Sequence, residues 1–287
     1  MNKLDRILIQ IKFQTDRNWI QMRRLLIETI AEYPEDKRLL VALGKLYERQ
    51  KLYKKAIDAF QRAVQLDQND EILHIHIGNG YLFLGEYRLA IDSFDRVQSD
   101  SPDVLYNKAF AYARLNKPLV TIEILERLIK LKPTTSAPYF LLCDMLYYQK
   151  NYEEILRTMN TVQRNFGPSS LVFYFTGVAY YHQNKYLNSF VELQKAEEFN
   201  MDHSHFYLIY AKVCNKIGKT DKAIELLKNS ISKYPKDPTA YYDLAQMYLK
   251  LNRLADVESL INLAKKFLPH SLAVSLLHNK INRLKTF

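Results

Sequence analysis

The chain is poor in the residues that most enzyme chemistry requires. It has two cysteines, Cys143 and Cys214, too few for a disulfide framework, so a reducing, cytoplasmic setting is the expectation. No uninterrupted apolar run is long enough to cross a bilayer, and the opening MNKLDRILIQIKFQTDR is charged throughout. Neither a membrane span nor a secretory signal is expected. There is no glycine-rich phosphate loop, no G-x-S-x-G elbow and no H-E-x-x-H pair. The histidines are scattered: His74 and His76 are two apart on a predicted helix and point to different faces, while His203 and His205 read as a surface pair. Glu153–Glu154 and Glu197–Glu198 are adjacent at exposed helix ends, whereas acid–base work needs carboxyls that converge away from water. Catalysis, a metal site and a cofactor are therefore not expected.

Against these absences stands a strong regularity. Gly44, Gly78 and Gly177 each precede a tyrosine by three residues (Tyr47, Tyr81, Tyr180), and Ala56, Ala90 and Ser189 follow nine residues later. Pro34, Pro133, Pro235 and Pro269 punctuate the end of the same cycle. The period is 34 residues, the signature of a stacked helical-hairpin array. The best register places repeats at 3–36, 37–70, 71–101, 102–135, 136–169, 170–203, 204–237 and 238–271, with a capping helix at 272–287. The third repeat is short, because Pro102 both ends it and opens the next. Within each repeat two apolar runs of helical spacing flank a turn such as FLGE or KIGK, and no alternating β pattern competes. The whole of 1–287 reads as one domain. Its last helix turns Leu272, Leu276, Leu277, Ile281 and Leu284 inward and Lys280, Arg283 and Lys285 outward, as a solvating cap should.

The recurring positions follow from packing. A small residue at the eighth place of the first helix, and another in the second helix, lets the two backbones approach closely. Gly85 and Gly218 fall in inter-helix turns that need a positive φ. Both cysteines read as small hydrophobes facing the hairpin interior. Gly80 fits none of these uses.

With Leu40, Leu43–Gly44, Tyr47, Ala56, Phe60 and Ala63 in the second repeat, and His74, Ile77–Gly78, Tyr81, Ala90, Phe94 and Pro102 in the third, the chain resembles the tetratricopeptide repeat (TPR) family. The resemblance runs over roughly 3–287, with the first repeat departing furthest: Gln10 and Met22 occupy small-residue sites. It implies an all-α, right-handed superhelical solenoid of about eight hairpins plus the cap, serving as a protein–protein interaction scaffold or adaptor. It also implies that the first helices line a concave wall with their second, fifth, sixth, ninth, twelfth and thirteenth places. Those places hold Asn79 and Phe83, then Tyr106, Asn107 and Phe110, then Phe140, Asp144, Tyr147 and Tyr148, then Tyr174 and Tyr181, and finally Lys212, Lys216 and Lys250.

Such a strip is aromatic in the middle and basic toward its C-terminal part. Aromatic rings offer large apolar area with few rotatable bonds and so anchor peptides well; packing against a neighbouring repeat, or self-association, are the competing uses. Peptide-clamping members of the family use asparagines at the places of Asn79 and Asn107 to hold a ligand backbone. Ile75, Ala137 and Leu141 stand where a carboxylate clamp would have basic residues. Lys212 and Lys216, four apart on one helix face, suit an acidic end of a bound segment. The net charge of +10 divides as +4 over 1–70, zero over 71–170 and +6 over 171–287. The alternative is therefore RNA held by the basic C-terminal repeats, with an AT-rich compositional bias as the bland explanation of the lysines.

Overall fold

The computed structural model describes residues 18–271 together with Leu4, Leu8 and Ile9. Gln10, the opening segment around it and the expected cap at 272–287 lie outside the described residues. Among the described residues there are fifteen α-helices and no strand. They are α1 (Trp19–Glu32), α2 (Lys37–Arg49), α3 (Tyr53–Leu66), α4 (Glu71–Leu84), α5 (Tyr87–Phe94), α6 (Pro102–Arg114), α7 (Pro118–Lys130), α8 (Ala137–Tyr148), α9 (Tyr152–Phe166), α10 (Ser170–His182), α11 (Tyr186–Glu198), α12 (Ser204–Lys216), α13 (Thr220–Lys233), α14 (Pro238–Lys250) and α15 (Leu254–Phe267). Neighbouring helices pack in pairs, an all-α repeat solenoid. The chain divides into two compact units, residues 1–145 and 146–287.

Local chemistry sets the helix starts. Asp36, Asp70 and Asp237 each accept the backbone N–H two residues on, from Arg38, Ile72 and Thr239, which satisfies one of the donors a helix leaves open at its N-terminus. Pro102, Pro118 and Pro238 occupy the first turn, where a missing N–H costs nothing.

The turns between paired helices are more uniform than the sequence suggests. Lys51, Gly85, Asn116, Lys150, Asn184, Gly218 and Asn252 recur at one place in successive repeats, and all have φ between 54° and 79°. At each, the following N–H reaches back to the carbonyl five residues earlier: Leu52 to Tyr47, Glu86 to Tyr81, Lys117 to Tyr112, Asn151 to Leu146, Lys185 to Tyr180, Lys219 to Cys214 and Arg253 to Tyr248. This is the Schellman closure, which consumes orphan carbonyls at a helix end. Glycine fills two of the seven positions; asparagine and lysine carry the left-handed strain at the rest.

The small-residue positions are as tight as packing requires. A Cβ on Gly44 would come within 2.4 Å of the Phe60 ring, and one on Gly78 within 2.5 Å of Phe94. Gly80 now has a reason too: a Cβ there would meet Ile57 Cγ1 of the preceding repeat at 2.8 Å. The shortened third repeat owes its length to its second helix. Helix α5 has eight residues, against thirteen to fifteen in the other second helices.

Candidate functional site

In the N-terminal unit, α4 and α6 are first helices of successive repeats and touch each other. Their facing places bring Asn79 and Asn107 together, and Asn107 Nδ2 donates to Asn79 Oδ1 at 2.8 Å. The bond uses one donor and one acceptor of the pair. It leaves a carbonyl on one amide and an NH2 on the other, the complement of a peptide unit. Beside them opens a pocket of about 670 Å³ lined by Asn79, Leu82, Phe83, Tyr87, Tyr106, Asn107, Phe110 and Arg114.

Its walls are aromatic and partly uncovered. Phe83 is 69% exposed, yet one ring face stacks on Tyr53 with centroids 4.6 Å apart and planes 7° from parallel. Phe110 lies edge-on to Tyr87 at 6.5 Å. Arg114 Nε donates to the Tyr87 hydroxyl at 3.0 Å, and its guanidinium sits 5.6 Å from that ring. Tyr106 is half-buried; burial first, and the charge of Asp144 second, push its hydroxyl pKa up. Phe140 is half-buried and Asp144 exposed.

The C-terminal unit treats its aromatics differently. Tyr147 meets four rings edge-on: Tyr148 at 6.1 Å, Tyr152 at 6.3 Å, His182 at 5.4 Å and His205 at 5.9 Å. Tyr152 and His182 stack at 4.6 Å and 4°. The Tyr174 hydroxyl shares a 2.6 Å hydrogen bond with His205 Nδ1, and Tyr181 lies edge-on to His182 at 5.0 Å. Tyr147, Tyr174 and Tyr181 are half-buried against the core of this unit. Only Tyr148 of this set stands well out, at 74% exposure. Burial holds His182 below the usual imidazole range, reinforced by Lys212 and Lys150; burial also lowers His205, with His203 and Lys212 adding to it.

The basic residues lie beyond this cluster in the same unit. Lys212 pairs with Asp243 at 3.5 Å. Lys216 Nζ sits 5.8 Å from the Tyr186 ring centroid. Lys250 is exposed and lines a recess of about 160 Å³ with Lys212, Asn215, Asp243 and Gln246. Both cysteines are buried, and burial pushes the Cys214 thiol up to about 11, which makes it a poor nucleophile. Among the described residues no three His, Cys, Asp or Glu side chains converge as a metal site, and no helix is long and apolar enough to cross a membrane.

Comparison with known proteins agrees with the repeat geometry. The tetratricopeptide repeat family matches residues 38–70 and 216–281. A TPR repeat-containing protein of Bacillus subtilis, YpiA, is 25% identical over 215 residues, which cover 73% of this chain and 42% of YpiA. This chain carries tetratricopeptide repeats at these two places. The chain thus spans about two fifths of that curated relative. Solved TPR structures share the fold. YrrB, a TPR protein with an unusual peptide-binding site, aligns with a TM-score of 0.55 at 21% identity, over 62% of this chain and 93% of its own. The Cut9–Hcn1 hetero-tetramer of the APC/C aligns at 0.64 and 13% identity, over 98% of this chain and 57% of that one.

One set of site residues escapes a reading confined to first helices. Tyr53, Tyr87, Tyr152 and Tyr186 each open a second helix of the TPR array, at the seventeenth place of their repeats. Each touches a ring on a first helix: Phe83, Phe110, His182 and Tyr181 in turn. The recurrence of tyrosine at one register position is the signal by which they are found.

Proposed function

We propose that this protein captures an extended or helical segment of a partner protein, and that the pocket between α4 and α6 is its principal anchor. The observation that carries the reading is the combination of uncovered aromatic faces with an amide pair whose remaining donor and acceptor match a peptide backbone. Contiguous open apolar surface of this kind is a mark of binding sites. An apolar or aromatic side chain of the ligand sits between Phe83 and Phe110, its backbone meets Asn79 and Asn107, and Arg114 offers a charge at the rim. Tyr106 closes the floor. In the C-terminal unit, Tyr148 presents a second ring, and Lys212, Lys216 and Lys250 take acidic groups. Phe140, Asp144, Tyr147, Tyr174 and Tyr181 shape and support these surfaces.

Selection of a random-peptide display library against the whole protein tests the reading. Ligands recovered lose about tenfold or more in affinity with Phe83→Ala or Phe110→Ala, the cost of removing a buried aromatic anchor, and about fivefold with Asn107→Ala, while the melting behaviour of the Phe83 variant stays close to that of the parent. Ligands indifferent to all three substitutions would sink the reading.

A further inference from the structure

The junction of α12 and α14 repeats the register of the asparagine pair with different chemistry. Lys212 and Asp243 occupy the ninth and sixth places of their repeats, the places of Asn79 and Asn107. Asp243 Oδ2 is closed off from solvent with no well-formed hydrogen bond, and Lys212 Nζ lies 3.5 Å away. The two partners differ in access: the Lys212 side chain is 41% exposed and that of Asp243 23%. The recess they share also presents the amides of Asn215 and Gln246 and the ammonium of Lys250. The cation is thus the more reachable partner, and the carboxylate is poorly solvated.

We propose that an acidic side chain of a captured segment binds in this recess by taking Lys212 from Asp243, so that Asp243 is a built-in competitor for the ligand. The proposal rests on the reading that these lysines take acidic groups, and it adds the competitor. An incoming carboxylate gains charge-assisted hydrogen bonds from Lys212 and Lys250 and neutral ones from the two amides. Asp243 is then left desolvated, beside a second anion and without its nearest cation. Burial already holds its carboxyl above the usual range, and loss of Lys212 removes what opposes that rise. Asp243 takes a proton from solvent as the ligand seats, and capture is linked to proton uptake.

Several charged and titratable groups of the surrounding elements lie near Asp243 or act on its neighbours, His203 among them through His205. Helix α10 supplies Tyr181 and His182, α12 supplies His205, Lys212 and Lys216, Asp237 precedes α14, and α14 carries Lys250. Helix α13 contributes only Leu227 to the recess lining. Both histidines are held low, so above the ordinary imidazole value they stay neutral and Asp243 is the group left to respond.

The probe is fluorescein-labelled octaglutamate, with octaglutamine as control, on the whole protein. Lys212→Ala weakens octaglutamate binding about tenfold, the effect of deleting one charge-assisted hydrogen bond. Asp243→Asn strengthens it about three- to tenfold, because the lysine no longer has a competing anion. Binding to the parent weakens as pH rises above the ordinary imidazole value of about 6.5 and is accompanied by proton uptake in calorimetry; Asp243→Asn abolishes both, because the linked group is gone. Unchanged or weaker binding in Asp243→Asn, or equal binding of octaglutamine, overturns the proposal. If Lys212→Ala, Lys216→Ala and Lys250→Ala all leave binding unchanged, the lysine reading itself falls. If they weaken binding but Asp243→Asn does not strengthen it, only the competitor falls. Leu119→Ala, at an exposed residue of α7 that lines neither recess, leaves octaglutamate binding unaltered.

Discussion

Two ring stacks at equivalent register positions have opposite surroundings. Tyr53 lies against Phe83 in the N-terminal unit as Tyr152 lies against His182 in the C-terminal unit, both at 4.6 Å and nearly parallel. Phe83 keeps its other face open on a pocket. His182 is covered by Tyr147 and Tyr181 and keeps an Nε2 that is buried without a hydrogen bond. The scaffold is indifferent to the difference, because a place in the repeat fixes where a ring begins and not what covers it. Cover decides role. An uncovered ring stores unused apolar area for a ligand, and a covered ring has already committed that area to the fold.

Paired truncations break the comparison most sharply. Tyr147→Ala removes a ring that touches four others and is expected to cost about 2–3 kcal/mol, somewhat less than for a fully buried aromatic. Phe83→Ala removes mostly exposed area and is expected to cost under about 1 kcal/mol of stability while reducing peptide capture. Denaturant melts of the two variants, read beside their affinities for a selected peptide, check both arms. Equal stability losses would mean that the Phe83 ring is as much a part of the core as Tyr147.

The same contrast marks how far the sequence is legible. The hairpins are written in the 34-residue period, in the small residues of Gly44, Gly78 and Gly177, and in the capping aspartates, because each acts through local geometry. Gly80 is explained only in three dimensions, since its reason is Ile57 of the preceding repeat, a neighbour no period announces. The list of wall positions could not tell a ring that lines a pocket from one under its neighbours. That depends on what joins the tyrosine of the second helix: Tyr53 leaves Phe83 half bare, while Tyr147, from the first helix of the preceding repeat, closes over His182 beside Tyr152. Nor could spacing show that Asn79 and Asn107 bond each other, or that Lys212 already has Asp243. Pairing across repeats is a property of side-chain direction, and one helix read at a time does not contain it.

Protonation sharpens the contrast from the covered side. His182 and His205 have lowered pKa values in the folded unit, so as the pH falls the unfolded chain binds the proton first. The stability they contribute is full above about pH 6.5, the ordinary imidazole value, and is lost as the pH falls through it toward the lower folded values. Hydrogen exchange resolved by segment is expected to show α10 and α12 opening more readily at about pH 5.5 than at about pH 7.5. His205→Phe, which cannot take the proton, flattens that loss. An acid loss undiminished in this variant and in His182→Phe would place it elsewhere.

The smallest effect concerns the turn that delivers Tyr147 and Tyr148. Gly85 and Lys150 hold equivalent places with φ of 77° and 58°, and only the lysine carries a Cβ into the left-handed region. That conformation costs an L-residue about 1–2 kcal/mol, offset by the freedom glycine adds to the unfolded chain, about 0.4–1 kcal/mol. Lys150→Gly is therefore expected to stabilise the C-terminal unit by about 0.5–1 kcal/mol. Lys150 is also one of the cations that lower His182, so its removal lets the imidazole rise and narrows the acid-sensitive window described above. Stabilisation at neutral pH with a reduced acid loss is the joint signature. Lys51→Gly, at the same place in the other unit, is expected to give the first effect without the second. If both variants change acid sensitivity alike, backbone strain and not the charge beside His182 is the common cause, and the covered stack loses its claim to be the pH-sensitive one.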